Sequence, residues 1–269
     1  MPSANTSRLS LLKNKIKSLF HKPLSEKDRL KLKVRENSIK RAEANSEYEN
    51  GKHTRKELAY LLREYRIWDK QRLWRVTFDN GLAETNIGLA VNLADVVRKH
   101  ALNGNVLEIG CGTGKTITQL QAEVPNAHYS ATGLARIPIW KSYANSGKVK
   151  WHVGHAENLL RIIPPNSCDV IFSSLGISAT SNIKKGLKQT QKALKPGGIL
   201  LINSGEAIEP YIATNFEELG FKLISKKTVF VPFSKSEGEK KTHVIYEWTD
   251  GSAPTKPRNQ AIAYFLQRI

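Results

Sequence analysis

From Asn86 onward, apolar and polar positions are arranged in repeating blocks. An apolar stretch with helical spacing runs to about Leu102, and short, almost wholly apolar runs follow at Val106–Ile109, Tyr129–Leu134, Val149–Val153, Val170–Ser174 and Ile199–Asn203. Runs this short and this apolar fit strands covered on both faces, and strands that alternate with helical segments pair in parallel. The pattern therefore predicts a parallel α/β sheet with helices on both sides. Beyond it, Glu209–Leu219 reads as a helix, and Phe221–Phe230 and Thr242–Thr249 read as two longer strands joined by the polar loop Ser234–Lys241. That closing pair predicts an antiparallel hairpin at the sheet edge. No internal repeat is visible.

Upstream, Leu9, Leu12, Ile16 and Leu19 recur at helical spacing among Lys13, Lys15, Lys17 and Lys22, a pattern that allows a basic amphipathic helix. Ser25 followed by Asp28, and Thr54 followed by Glu57, have the form of capping boxes, in which a hydroxyl and a carboxylate satisfy the free N–H groups of a helix start. The second helix is expected from Arg55 into the mid 70s, with Leu58, Leu61, Leu62, Tyr65 and Trp68 on one stripe. Asn50-Gly51 is the expected hinge. Four segments follow: a basic, helical or partly disordered arm over 1–53, a helical lid or linker over 54–85, the α/β domain over 86–250, and a tail over 251–269.

Composition narrows the class. No apolar run in the 269 residues approaches the roughly 18–20 needed to span a membrane. Cys111 and Cys168 lie far apart with no metal-ligand pattern around them, so neither a disulfide framework nor a metal site is expected, and a reducing, cytoplasmic compartment is the default. The N-terminal stretch also resembles a mitochondrial transit peptide, although such peptides are Arg-rich and this one holds only Arg8. Lys and Arg number 42 against 24 Asp and Glu, for a net charge of +18. Residues 1–56 carry 15 of the basic and 6 of the acidic side chains, so half of the excess sits in a fifth of the chain. Such a segment is attracted to nucleic acid or an anionic membrane surface, or is simply the solvated face of a helical arm.

The chemistry-bearing motif is Val106-Leu107-Glu108-Ile109-Gly110-Cys111-Gly112-Thr113-Gly114: a strand, an acid, a glycine-rich turn and a helix start. Glycines suit a turn with unusual dihedrals and a ligand that approaches the backbone too closely for a Cβ. This E-x-G-x-G-x-G run resembles motif I of the class I S-adenosylmethionine (SAM) dependent methyltransferases. Pro165-Asn166-Ser167 ahead of Asp169-Val170-Ile171-Phe172-Ser173-Ser174 is similar to that superfamily's fourth-strand motif, and Leu194-Lys195-Pro196-Gly197-Gly198-Ile199-Leu200-Leu201-Ile202 to its entry into strand five. The resemblance covers about 86–250. It implies a Rossmann-like, seven-stranded, mostly parallel sheet with an antiparallel final hairpin, SAM as cofactor, and methyl transfer.

Carried over by position, the resemblance implies that Gly110, Cys111, Gly112 and Gly114 line the cofactor's methionine and ribose side. Glu108 would hydrogen-bond near the methionine amine and Ser174 would offer it a carbonyl. Gly133 and Leu134 at the end of strand two, and His155 and Ala156 after strand three, complete the expected binding set. Two departures stand out. The superfamily's ribose-binding acid falls on Gly133 here, or on Ala135 if the register slides, and neither has a carboxylate. The acid that meets the adenine amine is replaced by His155, within Gly154-His155-Ala156. A lost charge-assisted contact of this kind weakens binding roughly ten- to a hundred-fold.

Gly114-Lys115-Thr116 copies the end of a phosphate-binding P-loop, but that motif requires Gly where Ile109 stands. No catalytic residue can be named, because an activated sulfonium needs a base only for acceptors of high pKa. Glu206 and His152 are candidates. The run Ser173-Ser174-Leu175-Gly176 lacks the N-P-P-Y or D-P-P-Y of exocyclic amino methyltransferases, and neither Cys is placed for cytosine C5 chemistry. Arg63, Arg66, Arg72 and Arg75 near Trp68 and Trp74 fit either a surface for RNA or ribosome, or lid packing over a small-molecule acceptor. A binding protein that keeps the fold without catalysis, holding RNA or a protein partner, is the alternative function.

Overall fold

The five expected runs form five parallel strands, and two further strands close the sheet. The computed structural model describes residues 26–64, 80–134, 136–144, 147–180, 182–205, 216–231 and 259–269. The elements are α1 (Glu26–Glu49), α2 (Arg55–Glu64), α3 (Leu82–Leu89), α4 (Leu93–His100), β1 (Asn105–Ile109), α5 (Lys115–Glu123), β2 (His128–Gly133), α6 (Ile139–Ala144), β3 (Val149–Val153), β4 (Cys168–Ser174), α7 (Ile183–Ala193), β5 (Leu194–Gly205), β6 (Phe221–Val231) and β7 (Asn259–Arg268). Short 3₁₀ turns at Ala156–Arg161 and Ile177–Ala179 follow β3 and β4. The sheet order is β3-β2-β1-β4-β5-β7-β6, with β1 to β5 parallel and β7 antiparallel to both β5 and β6.

Successive strand residues point to opposite faces, and each face has its own core. Leu107, Ile109, Ile171, Leu200 and Ile202 pack with Leu159, Ile183 and Leu187 on one side. Val106, Val170, Phe172, Ile199 and Leu201 pack with Leu93, Val97, Ile117, Leu120 and Trp140 on the other. Ile39 and Ala42 of α1 belong to the first core, and Glu49 at the end of α1 pairs with Lys184 of α7 at 3.8 Å. The helical part of the expected N-terminal arm is thus a packed layer of the domain. Thr54 and Glu57 form the expected capping box, with Thr54 N–H donating to the Glu57 carboxylate at 2.7 Å and Glu57 N–H to Thr54 Oγ1 at 3.3 Å. Ser25 and the segment 65–79, which includes Trp68 and Trp74, lie outside the described residues.

Two expectations need correction. The stretch from Asn86 to Leu102 is two helices, because Ala90 turns left-handed (φ 55°) and Asn92 caps α4, its Oδ1 accepting from Ala94 N–H at 3.0 Å. The final strand is Asn259–Arg268, within the expected tail, while 242–249 lies outside the described residues. Strand β7 sits between β5 and β6, covered on both faces, so it takes the near-continuous apolar run with buried Ala261, Ile262, Ala263 and Tyr264. Of the expected helix over Glu209–Leu219, residues 209–215 lie outside the described residues, and Phe216–Gly220 forms turns that lead into β6.

Candidate cofactor site

Strand order reverses between β1 and β4, and at such a switch point the carboxyl ends of neighbouring strands diverge to leave a ligand crevice. The β1 loop enters it through three left-handed glycines, with φ of 76° at Gly110, 54° at Gly112 and 83° at Gly114. Gly110 and Cys111 N–H both donate to Thr132 C=O at 2.9 Å, which fastens the loop to β2. The Gly112 carbonyl accepts from Trp140 Nε1 at 3.1 Å. Protein as well as ligand demands these glycines: a Cβ on Gly110 would stand 2.7 Å from Gly176 Cα, and one on Gly114 2.3 Å from the Trp151 ring. Trp151 in turn stacks on Trp140 and Tyr143, at centroid distances of 5.2 and 6.1 Å.

Glu108 is 4% exposed and lies on the same face of β1 as Val106, beneath the start of α5. Its carboxyl accepts the Ile117 N–H, and Oε2 has no hydrogen-bond partner among the described residues. Burial raises its pKa to about 8, against the lowering effect of the Ile117 N–H, so the group is protonated at neutral pH. Cys111 is buried beside it, and desolvation, followed by Glu108, holds that thiol well above its ordinary range.

At the β4 end, Ser173 Oγ donates to Ile109 C=O at 2.8 Å and accepts from Ile177 N–H at 3.0 Å, tying β4 to β1. Leu175 is left-handed (φ 64°) and Asn203 is buried beside it. Gly154 N–H donates to Gly133 C=O at 3.0 Å, joining the ends of β3 and β2. Of the expected binding residues, Gly110, Gly112, Gly114, Gly133, Leu134, His155 and Ser174 come together along this edge, with the His155 side chain exposed. The side chains of Glu108, Cys111 and Ala156 instead face the cores. Thr132, Gly133, Leu134 and Arg136 supply no carboxylate at the end of β2, and Ala135 lies outside the described residues.

His152 lies on the edge strand β3, three strands from β4 and so about 14 Å away at the usual spacing. Its pKa is lowered, by burial first and Lys150 second. Glu206 lies outside the described residues. Thr116 Oγ1 donates to Asn80 C=O at 2.9 Å and meets Thr85 Oγ1 at 2.8 Å, so this hydroxyl anchors the start of α3 and the P-loop likeness is incidental. Sequence reasoning passed over Trp140, Trp151 and Asn203. The two Trp residues lie far from the glycine loop in sequence and carried no signal that places them against it; for Asn203 the signal was a polar residue closing the apolar run Ile199–Ile202.

This fold, with its glycine loop at the switch point, defines an α/β protein of Rossmann-like topology. Residues 107–202 match the family model described as "Methyltransferase domain". The mitochondrial 2-methoxy-6-polyprenyl-1,4-benzoquinol methylase of Schizosaccharomyces pombe is 27% identical over 164 residues, 57% of this chain and 50% of that protein. The malonyl-[acyl-carrier protein] O-methyltransferase of Bacillus cereus is 32% identical over 101 residues, 37% of this chain and 36% of its own. A SAM dependent methyltransferase from Aquifex aeolicus superposes with a TM-score of 0.50 at 14% identity, over 75% of this chain and 100% of that one, a likeness of fold. These likenesses support the class I SAM-dependent methyltransferase superfamily for the matched region, residues 107–202. The chain spans half or less of the length of these two curated relatives. By name, those relatives act on a quinol and a carrier-borne acyl group, which lends no support to the expected RNA or ribosome partner. Among the described residues, no helix is long and apolar enough to cross a membrane.

Proposed function

We propose that the chain is a SAM-dependent methyltransferase acting on a small organic acceptor, free or carrier-borne. The observation that carries this reading is the left-handed glycine loop at the β1–β4 switch point, bonded to β2 through Thr132 and to β4 through Ser173. The site fits the cofactor in part. Unsubstituted backbone at Gly110 and Gly112 would meet its amino-acid and ribose portion, the Ser174 carbonyl its ammonium, and Leu134 and His155 its adenine. The bound cofactor supplies a methyl group on a sulfonium, already electrophilic, so the chain's contribution is to orient the acceptor in line and exclude water. Neutral Glu108 would act beneath the loop, holding the start of α5 through Ile117 and leaving the ligand to the backbone. The domain responsible extends through β7, which completes the sheet beside β5.

One observation favours a second reading, a methyltransferase fold without productive cofactor binding: no carboxylate stands at the described end of β2. Calorimetric titration with SAM and S-adenosylhomocysteine (SAH) separates the two, with Gly110→Asp as a control that forces a side chain against Gly176. Micromolar binding that the control abolishes supports the enzyme. Transfer of labelled methyl to a small-molecule extract and not to an RNA fraction then supports the acceptor class, and the reverse partition refutes it. A folded protein that binds neither ligand leaves the second reading standing.

A further inference from the structure

Asn203 lies near the end of β5 and is 2% exposed, yet every polar atom of its side chain is engaged. Its Oδ1 accepts from Leu175 N–H at 2.7 Å, and its Nδ2 donates to Gly88 C=O at 2.7 Å and to Ser174 Oγ at 3.3 Å. The amide orientation is unambiguous, since a backbone N–H must face oxygen and a backbone C=O must face nitrogen. One side chain therefore spans three elements: the last turn of α3, the end of β4, and β5.

The bond to Leu175 falls where the backbone is least comfortable. Leu175 has φ of 64°, a conformation in which the Cβ of an L residue crowds its own backbone, and it is held there from both sides. Asn203 takes its N–H, and Ser178 Oγ donates to its C=O at 3.0 Å. The turn this creates lays Gly176 against the glycine loop, so closely that a Cβ on Gly176 would stand 2.4 Å from Ile109 C=O. Backbone strain of this kind persists where surrounding structure over-determines it, typically at ligand sites.

We propose that Asn203 is a positioning residue for the cofactor's amino-acid end. It fixes Leu175 in the left-handed conformation, which aims the Ser174 carbonyl and seats Gly176 on Gly110, and it ties that geometry to α3 through Gly88. The inference rests on the cofactor reading above. It has a specific signature: the latch matters because residue 175 is not glycine, so a glycine there makes Asn203 dispensable.

The test is a double-mutant cycle in the full chain, read by calorimetric SAH binding and by hydrogen exchange over 173–178 in the free protein. Asn203→Ala is expected to weaken SAH binding about tenfold and raise exchange in that segment. Leu175→Gly alone binds within about twofold of wild type, and the double variant returns to the Leu175→Gly value. If Asn203→Ala does not fold, Asn203→Leu, which keeps the side-chain volume and removes the acceptor for Leu175 N–H, takes its place in the cycle. A folded Asn203 variant with wild-type SAH affinity and exchange, or a double variant whose losses simply add, overturns the inference alone. Wild-type protein that does not bind SAH overturns the cofactor reading and this inference together.

Discussion

Replacing Glu108 by Gln tests whether the acid of the glycine motif is neutral in the folded protein. The wild-type carboxyl has a folded pKa of about 8 against an ordinary 4.5, so folding takes up a proton between those values. The stabilisation this gives is complete below about 4.5 and is lost as pH rises towards 8. Its slope is about 1.4 kcal/mol per pH unit and halves as pH reaches the folded pKa, so about 1.5 kcal/mol disappears between pH 6.5 and 8. Other shifted groups contribute alike to wild type and variant. The pKa values of His100 and His152 are lowered, chiefly by burial, so their contributions rise with pH and level off just above 6.5. Tyr129, raised to about 12, and Cys111, raised well above 9, titrate higher. Urea unfolding of wild type and Glu108→Gln at pH 6.5, 7, 7.5 and 8 reads the difference directly. Wild type should lose stability across the series while the variant stays flat, since Gln keeps an acceptor for Ile117 N–H and has no proton to release. Parallel curves would refute the burial argument.

Gly114→Ala forces a Cβ to 2.3 Å from a Trp151 ring that is itself stacked, at a φ of 83°; a loss of about 2–5 kcal/mol of stability is expected by urea unfolding, and a loss under 1 kcal/mol contradicts the packing. Trp140→Phe keeps the stack on Trp151 and removes the 3.1 Å bond to Gly112; it should cost about 1 kcal/mol and weaken SAH binding several-fold, whereas unchanged calorimetry means the bond does not shape the loop. Ile39→Ala, at a site 5% exposed on α1, should cost about 2–4 kcal/mol within a single unfolding transition; a separate, earlier transition would mark α1 as an independent arm. The affinity ratio of cationic SAM to SAH should rise between pH 7 and 8.5 as Glu108 ionises beneath the loop; a pH-independent ratio contradicts that link.

Strands β1, β2, β4 and β5 were readable because each is largely buried on both faces and interrupted by helices, so its run is short and bounded; β3, at the sheet edge, was readable from its β-branched and aromatic residues. The last strand was misplaced for the converse reason. Thr242–Thr249 looks like an amphipathic edge strand, while Asn259–Arg268 ends the given sequence and resembles a tail until its neighbours are known. Only the antiparallel insertion between β5 and β6 explains why Ala261–Tyr264 carries no polar face. The break at Ala90 was hidden in a similar way. An alanine in left-handed conformation leaves no sequence trace, and the Asn92 cap that follows was masked by the apolar residues on either side.

The glycine loop and the β4 edge were recognisable by spacing, but the charge state of the site was not. Motif reading assigns Glu108 a carboxylate that faces the ligand; the strand places it on the α5 face, where 4% exposure removes the water an anion needs. With Glu108 neutral and Thr132, Gly133 and Leu134 closing β2, the described part of the cradle presents backbone groups on a frame of aromatic rings. The same frame explains the loop's glycines. In a site that holds its ligand by carboxylates, glycine serves ligand approach; here Trp151 and Gly176 press on Gly114 and Gly110 from the protein side, so the loop's shape is set before any ligand arrives. A backbone held in its bound conformation loses less entropy on binding, so on the proposed reading this preorganisation would offset part of the roughly ten- to hundred-fold loss expected from the absent ribose carboxylate. On the proposed cofactor reading, affinity would depend on packing residues distant in sequence from the motif, Trp140, Trp151 and Asn203, more than on the motif's own acid.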